Sequence, residues 1–159
     1  MNSETMTPRF RLWRTALLPV VPLVAWWAGR TTLGARTAGR PLTPIETALA
    51  RRLGVADPAS VRVVVTPALP LPGPRWAHQL ASRLGFPAIE SIGLCLGHAI
   101  FVQSNWARHP EVLAHELVHT AQCERLGGLR PFLHRYLAEC LTHGYHQAPL
   151  EQEARTATA

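Results

Sequence analysis

The sequence has no lysine and a single aspartate, Asp57, so all 16 of its basic residues are arginine. Against 10 acidic residues they leave a net charge of +6 and a pI near 10.5. Such a balance suits nucleic acid or an anionic membrane surface. The arginines do not interleave with aromatics in a nucleic-acid-binding motif, so nucleic acid is not the expected partner. Cysteine is scarce as well. Cys95, Cys123 and Cys140 are odd in number and form no C-x-x-C pair, which excludes a disulfide framework and a cysteine zinc site. They are expected to be reduced, small apolar residues. Also missing are internal repeats and any apolar run of the ~20 residues that a membrane-spanning helix needs. With 159 residues and 47% hydrophobic content, the chain has the core of one domain.

The nearest approach to a membrane segment is residues 15–29, TALLPVVPLVAWWAG, preceded by RFRLWR. A basic start and an apolar run of this length resemble a secretory signal, although no clear A-x-A cleavage site follows. Pro19 and Pro22 are expected to break a helix within it, and Trp26 and Trp27 suit a bilayer interface. Residues 1–40 therefore read as a basic, apolar arm. It either associates with a membrane through residues 9–29 or packs on a domain spanning 41–159. Cytoplasmic, membrane-associated and secreted placements all stay open.

Gly34 to Leu42 reads as a connector. Thr43, Pro44 and Glu46 then spell a capped helix start, with Ile45, Leu49 and Leu53 as its apolar stripe and Gly54 as its stop. Val61–Thr66 is β-branched and predicts a strand. Residues 67–75 carry four prolines and predict a loop. Trp76–Leu84 has the spacing of a short helix. Ile92–Gln103 predicts apolar strand, one or two pieces, carrying His98 and leading into the next helix along a cleft.

That next stretch, Pro110 to Gly128, holds the chemistry. His115, Glu116 and His119 form H-E-x-x-H, and residues four apart on a helix share a face. Two imidazoles can thus aim at one Zn²⁺, with Glu116 beside a metal-activated water as general base. Val112, Leu113, Leu117 and Val118 predict that the helix is buried. Cys123, one turn past His119, is the cysteine nearest to such a site, and Gln122 could support His119. A second helix is expected over Arg130–Leu141 and a last one from Pro149.

A catalytic zinc needs a third protein ligand. The continuation H-x-x-G-x-x-H is absent, which leaves Glu124, Glu139, Glu151 and Glu153. Glu124 points away from the pair; Glu139 lies on the packing helix; Glu151 and Glu153 open the last helix. Tyr136, His143, Tyr145 and His146 are candidate transition-state donors. Tyr145 and His146 come first, because their loop leads to Glu151.

HELVHTAQ (His115–Gln122), LEQEAR (Leu150–Arg155) and GHAIFV (Gly97–Val102) together resemble small bacterial zincin-like domains of the gluzincin metallopeptidase group. The resemblance spans about residues 92–155. It implies Glu151 as third ligand, with Ala154 in register and Glu153 as the alternative. It also puts Arg155 where membrane-linked peptidases of that group carry a supporting acid. The expectation is a minimal α+β zincin-like domain, helices on a short sheet around a central H-E-x-x-H helix. Its expected activity is zinc-dependent hydrolysis of a peptide or protein substrate. The rival expectation is a non-catalytic scaffold of the same fold that binds a protein partner or a membrane surface.

Overall fold

A computed structural model describes residues 12, 15–73, 83 and 91–159, so the helix expected at Trp76–Leu84 lies, Arg83 apart, outside the described residues. The fold is α+β. Among the described residues, five helices surround a four-stranded mixed sheet. In chain order these are α1 (Val20–Ala38), β1 (Arg40–Pro41), α2 (Pro44–Arg52), β2 (Arg62–Thr66), β3 (Gly93–Leu96), β4 (Ala99–Gln103), α3 (Pro110–Arg125), α4 (Leu129–His143) and α5 (Pro149–Thr158).

The sheet order is β1-β2-β4-β3, with β2 and β4 parallel and the two outer pairs antiparallel. Side chains alternate across a strand, and this sorts the core into two layers. Val63, Ile100 and Val102 face α2 and α3, where they meet Leu42, Leu113, Leu117 and Ala121. Leu96, Ala99 and Phe101 face α1, where they meet Ala28 and Ala35. The sheet is thus sandwiched between α1 and α3, and α4 and α5 pack on the remaining sides of α3.

Two expectations about the first forty residues need correction. Pro22 does not break a helix, whereas the expected interruption is present at Pro19: residues 15–16 are helical, 17–19 form a turn and α1 begins at Val20. Pro19 is its N-cap and Pro22 stands in its first turn, where the missing N–H has no intrahelical acceptor to lose. The supposed connector from Gly34 continues α1 to Ala38. Val21, Ala28 and Ala35, seven apart, form the buried seam, and Leu17 and Val21 join Phe132, Leu133 and Leu150 in a further cluster. No helix among the described residues is long and apolar enough to cross a membrane.

The apolar stretch at 92–103 is a hairpin of two short strands. Its turn is Gly97-His98, where Gly97 takes φ +70°, so His98 lies on the turn and not on a strand. Both strands pack on the central helix, and Gly93 of β3 borders the cleft. Ile45, assigned to the α2 stripe, is 83% exposed; Ala50 is buried in its stead, with Leu49 and Leu53 beside it.

The predicted start of α2 is complete. The Glu46 amide donates to Thr43 Oγ1 at 3.3 Å, and the Thr43 amide donates to Glu46 Oε2 at 2.8 Å. Arg40 adds two bonds of 2.7 Å to the same carboxylate. Arg40, with burial opposing and Thr43 assisting, lowers the Glu46 pKa from 4.5 to about 2. Half the Arg40 side chain is in water, so screening keeps the pair's contribution small. Glu46→Gln should cost about 1 kcal/mol near neutral pH. Because the folded pKa is depressed, the carboxylate's contribution is present above 4.5 and disappears as the pH falls to about 2. Urea unfolding of both proteins should show their difference closing across that window.

Candidate metal centre

Helix α3 starts with Pro110 and ends before Gly127 and Gly128, both with positive φ. It is buried nearly all round, as its apolar residues predict. His115 and His119, one turn apart, bring their Nε2 atoms to 3.1 Å with ring planes at 84°. Helix α5 supplies the third group from its first turn. Glu151 Oε1 lies 3.1 Å from His119 Nε2, and Glu151 Oε2 lies 3.4 Å from His115 Nε2. Zinc–ligand bonds of ~2.0–2.1 Å in a tetrahedron place ligand atoms ~3.3 Å apart. The imidazole nitrogens are near that spacing and each has one carboxylate oxygen near it, Oε1 for His119 and Oε2 for His115; two imidazoles with one carboxylate are a donor set that zinc accepts.

Supporting bonds fix each donor. Gln122 is fully buried, and its amide NH₂ donates to the Leu150 carbonyl at 2.9 Å. Its Oε1 is therefore the acceptor facing His119 Nδ1, at 2.8 Å. The proton of neutral His119 belongs on Nδ1, which leaves the Nε2 lone pair aimed at the shared point. Tyr136 donates its hydroxyl to Glu151 Oε1 at 2.7 Å. Burial would raise the Glu151 pKa, but hydrogen bonds from His115, from His119 in its cationic form and from Tyr136 hold it well below the ordinary carboxylate range. For His119 burial acts downward, and the Glu151 and Glu116 carboxylates more than offset it, so its pKa is raised.

Glu116 is buried beside this group, and burial raises its pKa despite the two nearby histidines. Its carboxylate lies against Gly93, where an added Cβ would stand 2.5 Å from Oε1. A cleft of about 290 Å³ opens between Ile92 and Gly93 on one side, Val112, His115 and Glu116 on the other, with Tyr145 at its border. A larger cavity, of about 620 Å³, is lined by Arg36, Arg62, His98 and Glu124 and touches none of the three donors.

Other sequence candidates fall elsewhere. Glu153 is exposed and forms two 2.8 Å bonds with Arg125, so it is not placed as an alternative ligand. Glu139 accepts the Leu150 amide at 2.9 Å and Arg135 Nε at 2.7 Å. Glu124 accepts the Ala56 and Asp57 amides and meets His98 Nε2 at 2.8 Å. Cys123 is buried with Leu17 and Val21, and all three cysteines are free. His143 and His146 are exposed, and the His146 carbonyl accepts Arg155. Arg155 does reach the centre: its Nη2 is 3.5 Å from Glu151 Oε2, and its guanidinium lies over the Tyr145 ring.

Three supports escaped the sequence reading: the Tyr136 bond to Glu151, the Glu139 bond to Leu150, and the close approach at Gly93. Tyr136 and Glu139 sit three apart on α4, a spacing that puts both on one face. Gly93 carries no local signal.

Removing a group that orients a metal ligand typically weakens metal binding ~10–100-fold. Gln122→Leu and Tyr136→Phe should each do so in competition with a chromophoric chelator, whereas Glu153→Gln should leave the affinity unchanged. Comparison with protein-family models, curated proteins and solved structures finds no match, so the reading of this centre rests on its own geometry.

Proposed function

We propose that the chain is a zinc-dependent hydrolase acting on peptide bonds. The observation that carries this reading is the convergence of His115, His119 and Glu151, with ligand atoms within 4.8 Å of one another, beside the buried Glu116. Bound zinc would supply a water of near-neutral pKa and a Lewis acid for the scissile carbonyl.

The remaining work falls to the chain's own side chains. His115 is the most accessible of the three donors, with a fifth of its side chain exposed toward the cleft, so substrate enters on that side. Among the described residues β3 is an edge strand along the cleft, and an extended peptide can align there. The Glu116 carboxylate takes the proton of the attacking water and returns it to the leaving amine. Its raised pKa suits both halves of that transfer. The Tyr145 hydroxyl, kept protonated by burial and the nearby carboxylates, is a hydrogen-bond donor for the developing oxyanion. Gly93 gives Glu116 the room to stand where it does.

A non-catalytic scaffold is the competing reading. One observation favours it: Arg155 already offers the Glu151 carboxylate a cation.

Metal analysis of the purified, zinc-reconstituted chain separates the two. One zinc per chain in the wild type, lost in His119→Ala and in Glu151→Ala, is expected; a wild type without zinc would leave only the scaffold. Against a library of quenched fluorescent peptides, Glu116→Gln should keep its zinc and lose hydrolysis by ~10²–10⁴-fold. Gly93→Ala should likewise hold zinc and turn over slowly, because the new methyl displaces Glu116 and none of the three ligands.

A further inference from the structure

Helix α1 has two apolar seams. One, through Val21, Ala28 and Ala35, is buried against the sheet and α4. On the opposite side Leu23, Trp26, Arg30 and Leu33 follow one another at helical spacing. Leu23, Trp26 and Leu33 are each more than 60% exposed, as is Leu12. Large apolar side chains gain by leaving water, so a contiguous exposed row of them marks a surface with an occupant.

The charge pattern says which occupant. From Thr5 to Ile45 the sequence holds six arginines and no acidic residue. Arg30 and Arg36 are exposed on α1 itself, and the Arg30 guanidinium lies 5.5 Å from the Trp26 ring centre. An apolar row containing tryptophan, bordered by arginines whose stems can lie along it, suits the boundary between acyl chains and headgroups. A helix of 19 residues interrupted by two arginines does not cross the bilayer.

We infer that the outward face of α1 docks on the surface of an anionic lipid bilayer. Leu23, Trp26 and Leu33 enter the acyl boundary while the arginines meet headgroup phosphates. This inference is independent of the metal centre and of any hydrolytic activity.

Sedimentation of the full chain with large unilamellar vesicles tests it. One set is phosphatidylcholine alone, the other contains about a third phosphatidylglycerol. The chain should partition at least ~10-fold more strongly onto the anionic vesicles, and added salt should weaken that binding. Leu23→Glu/Trp26→Glu should lower partitioning by ~10-fold or more with an unchanged circular dichroism spectrum, since neither side chain is in the core. Leu33→Glu alone should lower it in the same direction. The inference is overturned if wild type binds both vesicle sets alike or neither. Wild-type binding by the double variant overturns it too. A concentration-dependent dimer that forms without lipid and is lost in the double variant would instead make a second copy the occupant.

Discussion

The candidate centre depends on how α5 is held against α3, and that joint closes on the backbone of one residue, Leu150. Its carbonyl accepts the Gln122 amide from α3, and its amide donates to Glu139 on α4. Leu150 itself is buried among Phe132, Leu133 and Ala138. Glu151 is the next residue. With both backbone groups of its neighbour tied, its carboxylate has little freedom but to face the histidines. The negative Glu139 at the start of α5 also complements the positive end of that helix.

The same joint explains how so many polar side chains are tolerated inside a domain of this size. Glu116, His119, Gln122, Glu139 and Glu151 are all buried. An unpaired buried polar group costs roughly 1–3 kcal/mol, and more if charged. Among the described residues, no buried side-chain nitrogen or oxygen lacks a partner. Each of these groups answers another: Gln122 serves His119 and Leu150 together, and Tyr136 serves Glu151. Polar networks of this kind gain from completeness, so losing one member strands its neighbours.

The parts legible in the sequence were those with a local physical signature. The α2 capping box, the β-branched strand at 62–66 and the buried α3 each follow from residues a few positions apart. The pairing of His115 with His119 is likewise a matter of helical pitch. Glu151 was not accessible that way: spacing alone left several carboxylates open, and a family resemblance singled it out. Tertiary packing decided what remained. By spacing alone Glu139 and Glu153 were as eligible as Glu151; the Leu150 amide with Arg135 engages the first, and Arg125 the second. Pro22 looks like a helix breaker in isolation, and only the start of α1 at Val20, just after Pro19, makes it harmless. Gly93 shows its purpose only when Glu116 is set against it.

The contact between Glu116 and β3 has a further consequence. Ile92 pairs with Gln103 through the backbone, so in the antiparallel alternation the Cys95 amide points away from β4, toward the open edge. Exposed edges of this kind recruit strands from other molecules, and proteins blunt them with charge or by covering them. Here the buried Glu116 side chain closes on Gly93 of that strand, where an added Cβ would stand 2.5 Å from its Oε1. A strand that pairs with β3 would therefore run past the Glu116 carboxylate. The open edge of the sheet and the candidate centre thereby share one surface.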